Sequence, residues 1–213
     1  GRYEYQEGTK EYQGEAEVSV YDTGIIVRPS SEDLFRVAFA EIEDVTEEDY
    51  TLIIKTEYAT LSLSHFGEEF RQLSQAIKQR LAELSFKTQE VLKRLMPDID
   101  PLTIKSASEH LRDGRAVSRE AINRVSPSIW QELEKRLSSS KIRDAYSFLI
   151  SIQRDDQSFI GIKRDLMGDL TEEYLWLLVP ISSQDGQTFL VFESVPLTES
   201  GGKATYLFRA ADE

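Results

Sequence analysis

The fold is decided by the segment from Leu34 to Leu84, which reads LFRVAFAEIEDVTEEDYTLIIKTEYATLSLSHFGEEFRQLSQAIKQRLAEL. Runs of apolar and β-branched residues predict three strands in it, at Leu34–Phe39, Tyr50–Thr56 and Ala59–Ser64. A helix is predicted from Glu68 to Leu84, because apolar residues recur there at steps of three and four. This stripe consists of Phe70, Leu73, Ile77, Leu81 and Leu84. Since neither a short strand pair nor a lone helix is stable with an exposed apolar face, we expect the stripe to pack across the strands.

A hairpin is predicted ahead of this segment. Glu15–Val20 alternates apolar with polar residues, Tyr21–Gly24 has the composition of a turn, and Ile25–Val27 is the returning strand. Residues 1–14 are polar and acidic, so that a first edge strand and a loose arm both remain open for them. The other candidates in this half are a strand at Ala40–Val45 and an acidic turn at Thr46–Asp49.

This order of short strands ending in one helix resembles the PH-like superfold, especially its GRAM-type and bacterial members. The resemblance is carried by Val37–Val45, by Tyr50–Ile54 and by Leu61–Ser64 running into the helix, and it covers about residues 14–86. It implies a β-barrel or a curled, nearly orthogonal pair of sheets with one open end plugged by the C-terminal helix. The functions that it implies are lipid-headgroup binding, protein binding or scaffolding, and catalysis is not among them.

One loop departs from the lipid-binding members of that superfold, which place Lys and Arg between their first two strands. The corresponding turn here is Tyr21–Gly24, which contains Asp22 and no basic residue, and the nearest cation is Arg28. A phosphoinositide headgroup needs several cations to offset its charge. The sequence therefore favours protein contact or a structural role over lipid binding.

The charge distribution predicts two domains. Residues 1–86 contain 8 basic and 18 acidic side chains, residues 87–145 contain 12 and 9, and residues 146–213 contain 5 and 11. The basic middle is a separate compositional block that is predicted to be helical. We therefore expect a PH-like domain at 1–86 and an α+β domain at 87–213, helical over 87–145 and built of antiparallel strands over 146–213. The predicted fold class is α+β.

Several local signals place helices in the middle block. A helix over Thr88–Met96 should end at Pro97, and Asp100 followed by Pro101 is a capped helix start. Gly114 is expected to cap the end of that second helix. Further starts are predicted at Ser118 and at Ser126–Pro127, and Lys141–Ile152 should change from helix to strand near Ser147.

The last third of the chain predicts an antiparallel meander. Tyr174–Val179 is a continuous apolar run, which indicates a strand buried on both faces, and Pro180 favours an edge or a bulge there. The other strand candidates are Ser158–Lys163, Thr188–Phe192 and Ala204–Arg209, and the turn candidates are Gln184–Gln187 and Ser200–Lys203.

Motifs for common catalytic chemistry are missing from the sequence. The chain contains no cysteine, which excludes disulfides, thiolate zinc sites and cysteine nucleophiles. The two histidines, His65 and His110, have no metal-ligand spacing and are interpreted as surface or capping residues. A phosphate loop, a dinucleotide fingerprint and a nucleophile elbow are all absent from the sequence. We expect no cofactor and no metal, and we expect that the protein is not an enzyme.

Clusters of carboxylates provide the one enzymatic alternative. Asp98 with Asp100, and Glu47–Asp49, are better interpreted as solvated turns and a helix cap than as metal sites. The residues before the apolar run of the last third could do acid–base chemistry. They are Asp165, Asp169, Glu172 and Glu173.

Charge also bears on macromolecular partners. The formal net charge of −13 repels nucleic acids and anionic membranes. Basic residues on two short helices would fit a helix-turn-helix, but holding the acidic parts together explains them better. These residues are Lys105, Arg112, Arg115, Arg119 and Arg124. Nucleic acid is disfavoured, and a membrane is expected to be contacted weakly and peripherally if at all.

The sequence thus favours a non-enzymatic protein-interaction or scaffolding module in the cytoplasm, with a protein partner and with homo-oligomerisation left open. The alternative is binding of a phospholipid headgroup or a small anionic ligand in a cleft between the β units. Its candidate anion contacts are Arg28, Arg36, Lys163 and Arg164.

Overall fold

The computed structural model describes residues 1–155, 157–164, 172–183, 185–198 and 204–209. The chain has mixed α+β structure and divides into two compact units, Gly1–Leu84 and Ser85–Glu213. The candidates that fall outside the described residues are Asp165, Asp169 and the turn Ser200–Lys203. In the described part of the chain, no helix is both long and apolar enough to cross a membrane.

A seven-stranded antiparallel sheet makes up most of the first unit. Its strands are β1 (Arg2–Glu7), β2 (Lys10–Val20), β3 (Gly24–Pro29), β4 (Phe35–Ala38), β5 (Ile42–Glu48), β6 (Thr51–Thr56) and β7 (Ala59–Ser64). They lie in the order β4-β3-β2-β1-β7-β6-β5, so β4 and β5 are the edges of an open sheet and do not close a barrel. The predicted hairpin of the second and third strands is confirmed by the pairing of Ala16–Val20 with Ile25–Pro29.

The N-terminal strand β1 lies in the middle of this sheet, between β2 and β7. Tyr3 pairs with Leu63 on one side and with Gly14 on the other. Residues 1–14 are therefore neither an edge strand nor a loose arm. The two alternatives are wrong because Tyr3 and Tyr5, at alternate positions of the strand, supply an apolar face that the polar composition of this segment does not indicate.

Strand β2 joins two parts of the sheet. Its first half, Lys10–Glu15, pairs with β1, and its second half, Ala16–Val20, pairs with β3. The two ladders use successive parts of one strand, which lets the sheet change direction along β2. The β5–β6 hairpin turns at Asp49 and Tyr50, whose φ angles are 45° and 61°. The turn predicted at Thr46–Asp49 therefore lies further along the chain, at Asp49 and Tyr50. Positive φ at both central residues is typical of a two-residue hairpin, because it matches the twist of the flanking strands.

Helix α1 runs from Phe70 to Leu95, after a 3-10 turn at Gly67–Glu69. The predicted stripe packs on the sheet of the first unit, with Phe70, Ile77 and Leu81 buried in its core. The predicted helix end near Leu84 is wrong. No glycine or proline lies between Gly67 and Pro97, so nothing in the sequence interrupts the helix at that point.

The second unit packs helices against a five-stranded antiparallel sheet. Its helices after α1 are α2 (Pro101–His110), α3 (Arg119–Asn123), α4 (Pro127–Ser139) and α5 (Arg143–Ile152). Its strands are β8 (Ala116–Ser118), β9 (Phe159–Arg164), β10 (Glu173–Ser182), β11 (Thr188–Pro196) and β12 (Ala204–Arg209). The order β12-β11-β10-β9-β8 confirms the predicted meander and adds the short strand β8. One apolar core joins residues of these helices to Ile160, Leu175 and Leu177 of the sheet.

The predicted cap at Asp100 and the predicted helix start at Ser118 are confirmed, whereas Ser126 precedes α4 without a side-chain cap hydrogen bond. Asp100 accepts hydrogen bonds from the backbone N–H groups of Leu102 and Thr103, and the Ser118 hydroxyl accepts one from Ala121. The expected role of Gly114 is wrong, because α2 is already capped at Leu111. Gly114 instead has a φ of 87° and donates its N–H to the carbonyl of Ile162 at 2.8 Å, which ties the turn to β9.

Helix α5 continues through Ile152, so the predicted change to strand near Ser147 is wrong. Ile142, Tyr146 and Leu149 are buried at helical spacing, whereas Phe148, which fitted the strand pattern, is largely exposed. Burial of one helical face therefore decides the conformation of this ambiguous segment.

Strand β10 is central in the sheet and its register with β11 has no bulge at Pro180, but β9 no longer pairs with it there, so the expected edge holds locally. Its ladder with β9 ends at Leu178 and Phe159, two residues before Pro180. The missing N–H of proline is tolerated there because β9 no longer pairs with the strand. The expected burial on both faces holds in part, since Trp176 and Leu178 are only half-buried.

Candidate binding groove

An open groove of about 830 Å³ lies at one end of the first unit's sheet. The β1–β2 hairpin contributes Tyr5, Glu7 and Tyr12, and the loop before β4 contributes Ser30–Leu34. Phe35 and Arg36, at the start of β4, complete the lining. The groove therefore joins a central hairpin to an edge strand of the same sheet.

Aromatic rings form the apolar part of this groove. The ring centroids of Tyr5 and Phe35 are 4.9 Å apart, and those of Tyr5 and Tyr12 are 6.4 Å apart. Tyr5 and Tyr12 are a cross-strand pair of β1 and β2, whereas Phe35 lies on β4, three strands away in the sheet. The sheet must curl for these rings to meet. Tyr3 extends the cluster into the core, with its ring 5.8 Å from Phe35.

Carboxylates lie beside these rings. Glu32 accepts a hydrogen bond from the Tyr3 hydroxyl at 3.1 Å, and Glu7 accepts one from the Tyr5 hydroxyl at 3.5 Å. Burial, followed by the adjacent Glu32, raises the pKa of Tyr3, and burial together with Glu7 raises the pKa of Tyr5. Both phenols therefore stay protonated and can donate to these carboxylates.

The rim of the groove adds one further acid, one cation and one apolar side chain. Asp33 is exposed, and Leu34 has 62% of its surface exposed to solvent. Arg36 donates from its Nη2 to the carbonyl oxygen of Thr23 at 3.0 Å, which directs its guanidinium onto the protein backbone. Three carboxylates and a single guanidinium thus give the groove a negative balance.

The candidate anion contacts are distributed over the two units. Ile26 pairs with Arg36 across β3 and β4, and Arg28 lies two residues further along β3, so both arginines are on one face of that sheet. Arg28 also stands opposite Glu17 in the β2–β3 ladder. Only Arg36 of this pair lines the groove.

Lys163 and Arg164 are the last two residues of β9, in the second unit. Arg164 donates from Nε and Nη2 to one oxygen of the buried Glu173 carboxylate, at 3.1 and 3.0 Å, and Arg94 contacts the other oxygen. The backbone N–H of Arg164 donates to the Asp113 carboxylate at 2.8 Å. The Arg164 charge is therefore already engaged within the protein.

The candidate acid–base residues are partly described. Glu173 is held by the two arginines, and Glu172 accepts a hydrogen bond from Thr198 at 2.5 Å. Across the described ranges, no group of three or more histidines and carboxylates could hold a metal ion. His65 and His110 are both exposed, as interpreted from the sequence.

Sequence reasoning missed the groove, because it characterised residues 1–14 only by their polar and acidic composition. The usable signal was the spacing of Tyr3 and Tyr5 ahead of Gly8, which has a φ of 58° in the β1–β2 turn. A hairpin there would have placed Tyr5 opposite Tyr12. The contact with Phe35 had no comparable local signal.

Comparisons of the chain with protein-family models, with curated proteins and with solved structures found no match.

Proposed function

We propose that this chain is a non-enzymatic protein-interaction module whose first unit is PH-like and binds a segment of a partner protein in the groove. The seven antiparallel strands form two runs of consecutive neighbours, β1–β4 and β5–β7, which meet at β1 and β7, and a helix packs on them. This arrangement supports the PH-like proposal. The buried helix residues Phe70, Ile77 and Leu81 support the proposal that this helix acts as the apolar plug of such a domain.

The observation that carries the proposal is the composition of the groove. Partly exposed aromatic rings lie side by side with carboxylates in one concave surface, and aromatic side chains are enriched where proteins bind one another. A phosphate headgroup would meet three carboxylates and a guanidinium bonded to a backbone carbonyl. The groove therefore suits a polypeptide better than a phospholipid headgroup.

A displayed random peptide library tests this function. It is selected on the immobilised full chain and, in parallel, on the double variant Tyr12→Ser, Leu34→Ser, which removes two exposed apolar side chains of the groove. We expect peptides to be enriched on the unsubstituted chain and lost on the double variant. Tyr21→Ser is the matched control, since Tyr21 is a similarly exposed tyrosine outside the groove lining.

Folding of both variants is checked by thermal unfolding before selection. Peptides that bind the double variant as well as the unsubstituted chain, or a complete lack of enrichment on the unsubstituted chain, would overturn the proposed function.

A further inference from the structure

We infer that the groove takes a basic partner segment, in which a lysine or arginine side chain lies against the rings of Tyr5 and Tyr12 while Glu7, Glu32 and Asp33 bind its charge. This inference rests on the proposed function and names the chemistry of the partner. The five residues line one groove, so that the apolar and the acidic contacts fall within reach of one long cationic side chain.

The distribution of charge favours a basic partner, both within the groove and over the first unit as a whole. Within the groove, Glu7, Glu32 and Asp33 are accompanied by the single cation Arg36, which donates to the Thr23 carbonyl. Over the whole of residues 1–86, 18 acidic side chains stand against 8 basic ones. A basic segment is therefore attracted during approach and at contact, whereas an acidic segment is repelled at both.

The rings explain why the partner's cation would enter the groove instead of pairing with acids on the rim. A cation within about 6 Å of an aromatic centroid is attracted by the negative face of the ring. Tyr12 keeps 39% of its surface exposed, so that its ring is open to a ligand. The aliphatic stem of lysine or arginine can bury itself along the Tyr5–Phe35 pair while the charged head reaches the carboxylates.

Hydrogen bonds from two tyrosines help to fix the positions of the acidic side chains in the groove. The hydroxyl of Tyr3 donates to Glu32, and the hydroxyl of Tyr5 donates to Glu7. Each carboxylate uses one of its acceptor positions for this bond and retains others, because an ionised carboxylate can accept several hydrogen bonds. The tyrosines thus hold two carboxylates in place beside the rings, ready to accept from an incoming ammonium or guanidinium group.

A segment of polypeptide is favoured over a small free cation because Leu34, whose side chain is largely exposed, also lines the groove. An apolar residue of the partner next to its cation would contact Leu34. The expected ligand is therefore a short basic stretch that also carries an apolar side chain.

Fluorescence anisotropy with synthetic peptides tests the inference on the full chain. The labelled peptides share one apolar scaffold and carry arginine, glutamine or glutamate at the same positions. We expect the arginine peptide to bind at least tenfold more tightly than the glutamine peptide and the glutamate peptide not to bind. Because the contacts are partly exposed, binding should also weaken as salt is raised.

Charge-neutralising variants locate the contact. Exposed ion pairs are each worth about 0.2–1 kcal/mol, so Glu32→Gln combined with Asp33→Asn should weaken the arginine peptide by roughly two- to thirtyfold. The matched control is Glu57→Gln, an exposed acid at the β6–β7 turn, which should leave the affinity unchanged.

The outcomes separate this inference from the function on which it rests. If the arginine and glutamine peptides bind equally and both depend on Tyr12, the groove docks a protein segment but the basic partner is overturned. If the arginine peptide binds but Glu57→Gln weakens it as much as the groove variant does, the inferred site is overturned. If neither the peptides nor the displayed library binds, the proposed function itself fails.

Discussion

The indole of Trp176 in β10 lies over Gly161, its cross-strand neighbour in β9. A Cβ atom at position 161 would stand 2.5 Å from Trp176 Cζ2 and 2.6 Å from its Nε1, closer than real Cβ contacts allow. The indole is also confined on its other side, because the ring of Phe192 lies 5.5 Å from it. Glycine at 161 is therefore required by the packing of a tryptophan and not by a turn.

Gly161→Ala should destabilise the second unit. The new methyl group would force the indole away from its contacts, and overpacking of this kind costs about 1–3 kcal/mol. Both tryptophans of the chain, Trp130 and Trp176, belong to the second unit, so tryptophan fluorescence during urea unfolding reports on that unit.

Gly14→Ala provides the control for this measurement. Gly14 is also a strand glycine, but a Cβ there would meet only Tyr3 Cε1 at 3.5 Å, an ordinary contact. It lies in the first unit and should leave the tryptophan transition where it is. An unchanged transition for Gly161→Ala would show that the indole moves at no cost.

The buried carboxylate of Glu173 leads to a second prediction. Arg164→Ala removes both hydrogen bonds that Arg164 donates to it and leaves, among the residues that the structure describes, the contact from Arg94. Since Glu173 is buried whereas the arginines are partly exposed, we expect a loss of about 1–2 kcal/mol in the free energy of unfolding. Urea unfolding followed by tryptophan fluorescence measures it.

Arg143→Ala is the matched arginine variant. Its partner Asp144 is the neighbouring residue and is almost fully exposed, so this ion pair should contribute nothing measurable. Equal losses for the two variants would mean that burial of Glu173 does not strengthen its pairing.

The buried phenol of Tyr146 should make the free energy of unfolding fall as the pH becomes alkaline. Burial, and then the 2.5 Å hydrogen bond to Glu134, raise the pKa of this phenol above its ordinary value of 10.0. The contribution of the protonated phenol is complete below pH 10.0 and is lost as the pH rises through the folded-state pKa. In the Tyr146→Phe variant, the free energy of unfolding should therefore decline less steeply above pH 10.0 than in the unsubstituted chain.

At neutral pH the same variant removes one hydrogen bond to a carboxylate that Arg119 still contacts at 2.8 Å. We expect a loss of about 1–2 kcal/mol in the free energy of unfolding. Tyr206→Phe, at a half-exposed tyrosine of the same unit, should leave the stability at neutral pH unchanged. A decline above pH 10 that is as steep for Tyr146→Phe as for the unsubstituted chain would contradict the prediction.

The Asp100 cap should act in the acidic range. Hydrogen bonds from the Thr103 hydroxyl and from the backbone N–H groups of Thr103 and Leu102 lower the pKa of this carboxyl below 3.8. Its contribution is therefore present above pH 3.8 and is lost as the pH falls through the lower, folded-state pKa. Asp100→Ala should lower the urea midpoint at neutral pH, and the difference should shrink in acid.

Asp100→Asn separates the cap from the charge. Asparagine accepts the same backbone hydrogen bonds at a helix start and does not titrate. Its midpoint should stay near that of the unsubstituted chain at neutral pH. A midpoint as low as that of Asp100→Ala would assign the effect to charge alone.

The parts of the fold that could be predicted depend on residues close together in the chain. The stripe from Phe70 to Leu81, the cap at Asp100, the helix start at Ser118 and the meander of the last third were predicted from spacing and from single residues. In each case the hydrogen bonds or the buried face that decide the structure lie within one helix or between consecutive strands.

The predictions that were wrong concern segments whose structure depends on contacts with residues far away in the chain. Strand β1 is central because Tyr3 pairs with Leu63, sixty residues away along the chain, and α5 stays helical because its buried face packs into the second unit's core. For the groove, no pattern in the sequence indicates that the tyrosines of the N-terminal segment lie beside the loop that contains Glu32 and Asp33. The contact of Tyr5 with Phe35 exists only because the sheet curls.

The sequence by itself thus determined the apolar stripe of α1, the hairpin of β2 and β3 and the acidic character of the first unit, since periodicity, turn composition and charge are properties of neighbouring residues. Only the tertiary structure decided which strands are central and which side chains share the groove. Strand pairing across the chain and the curl of a sheet depend on side-chain packing between residues that no local pattern connects.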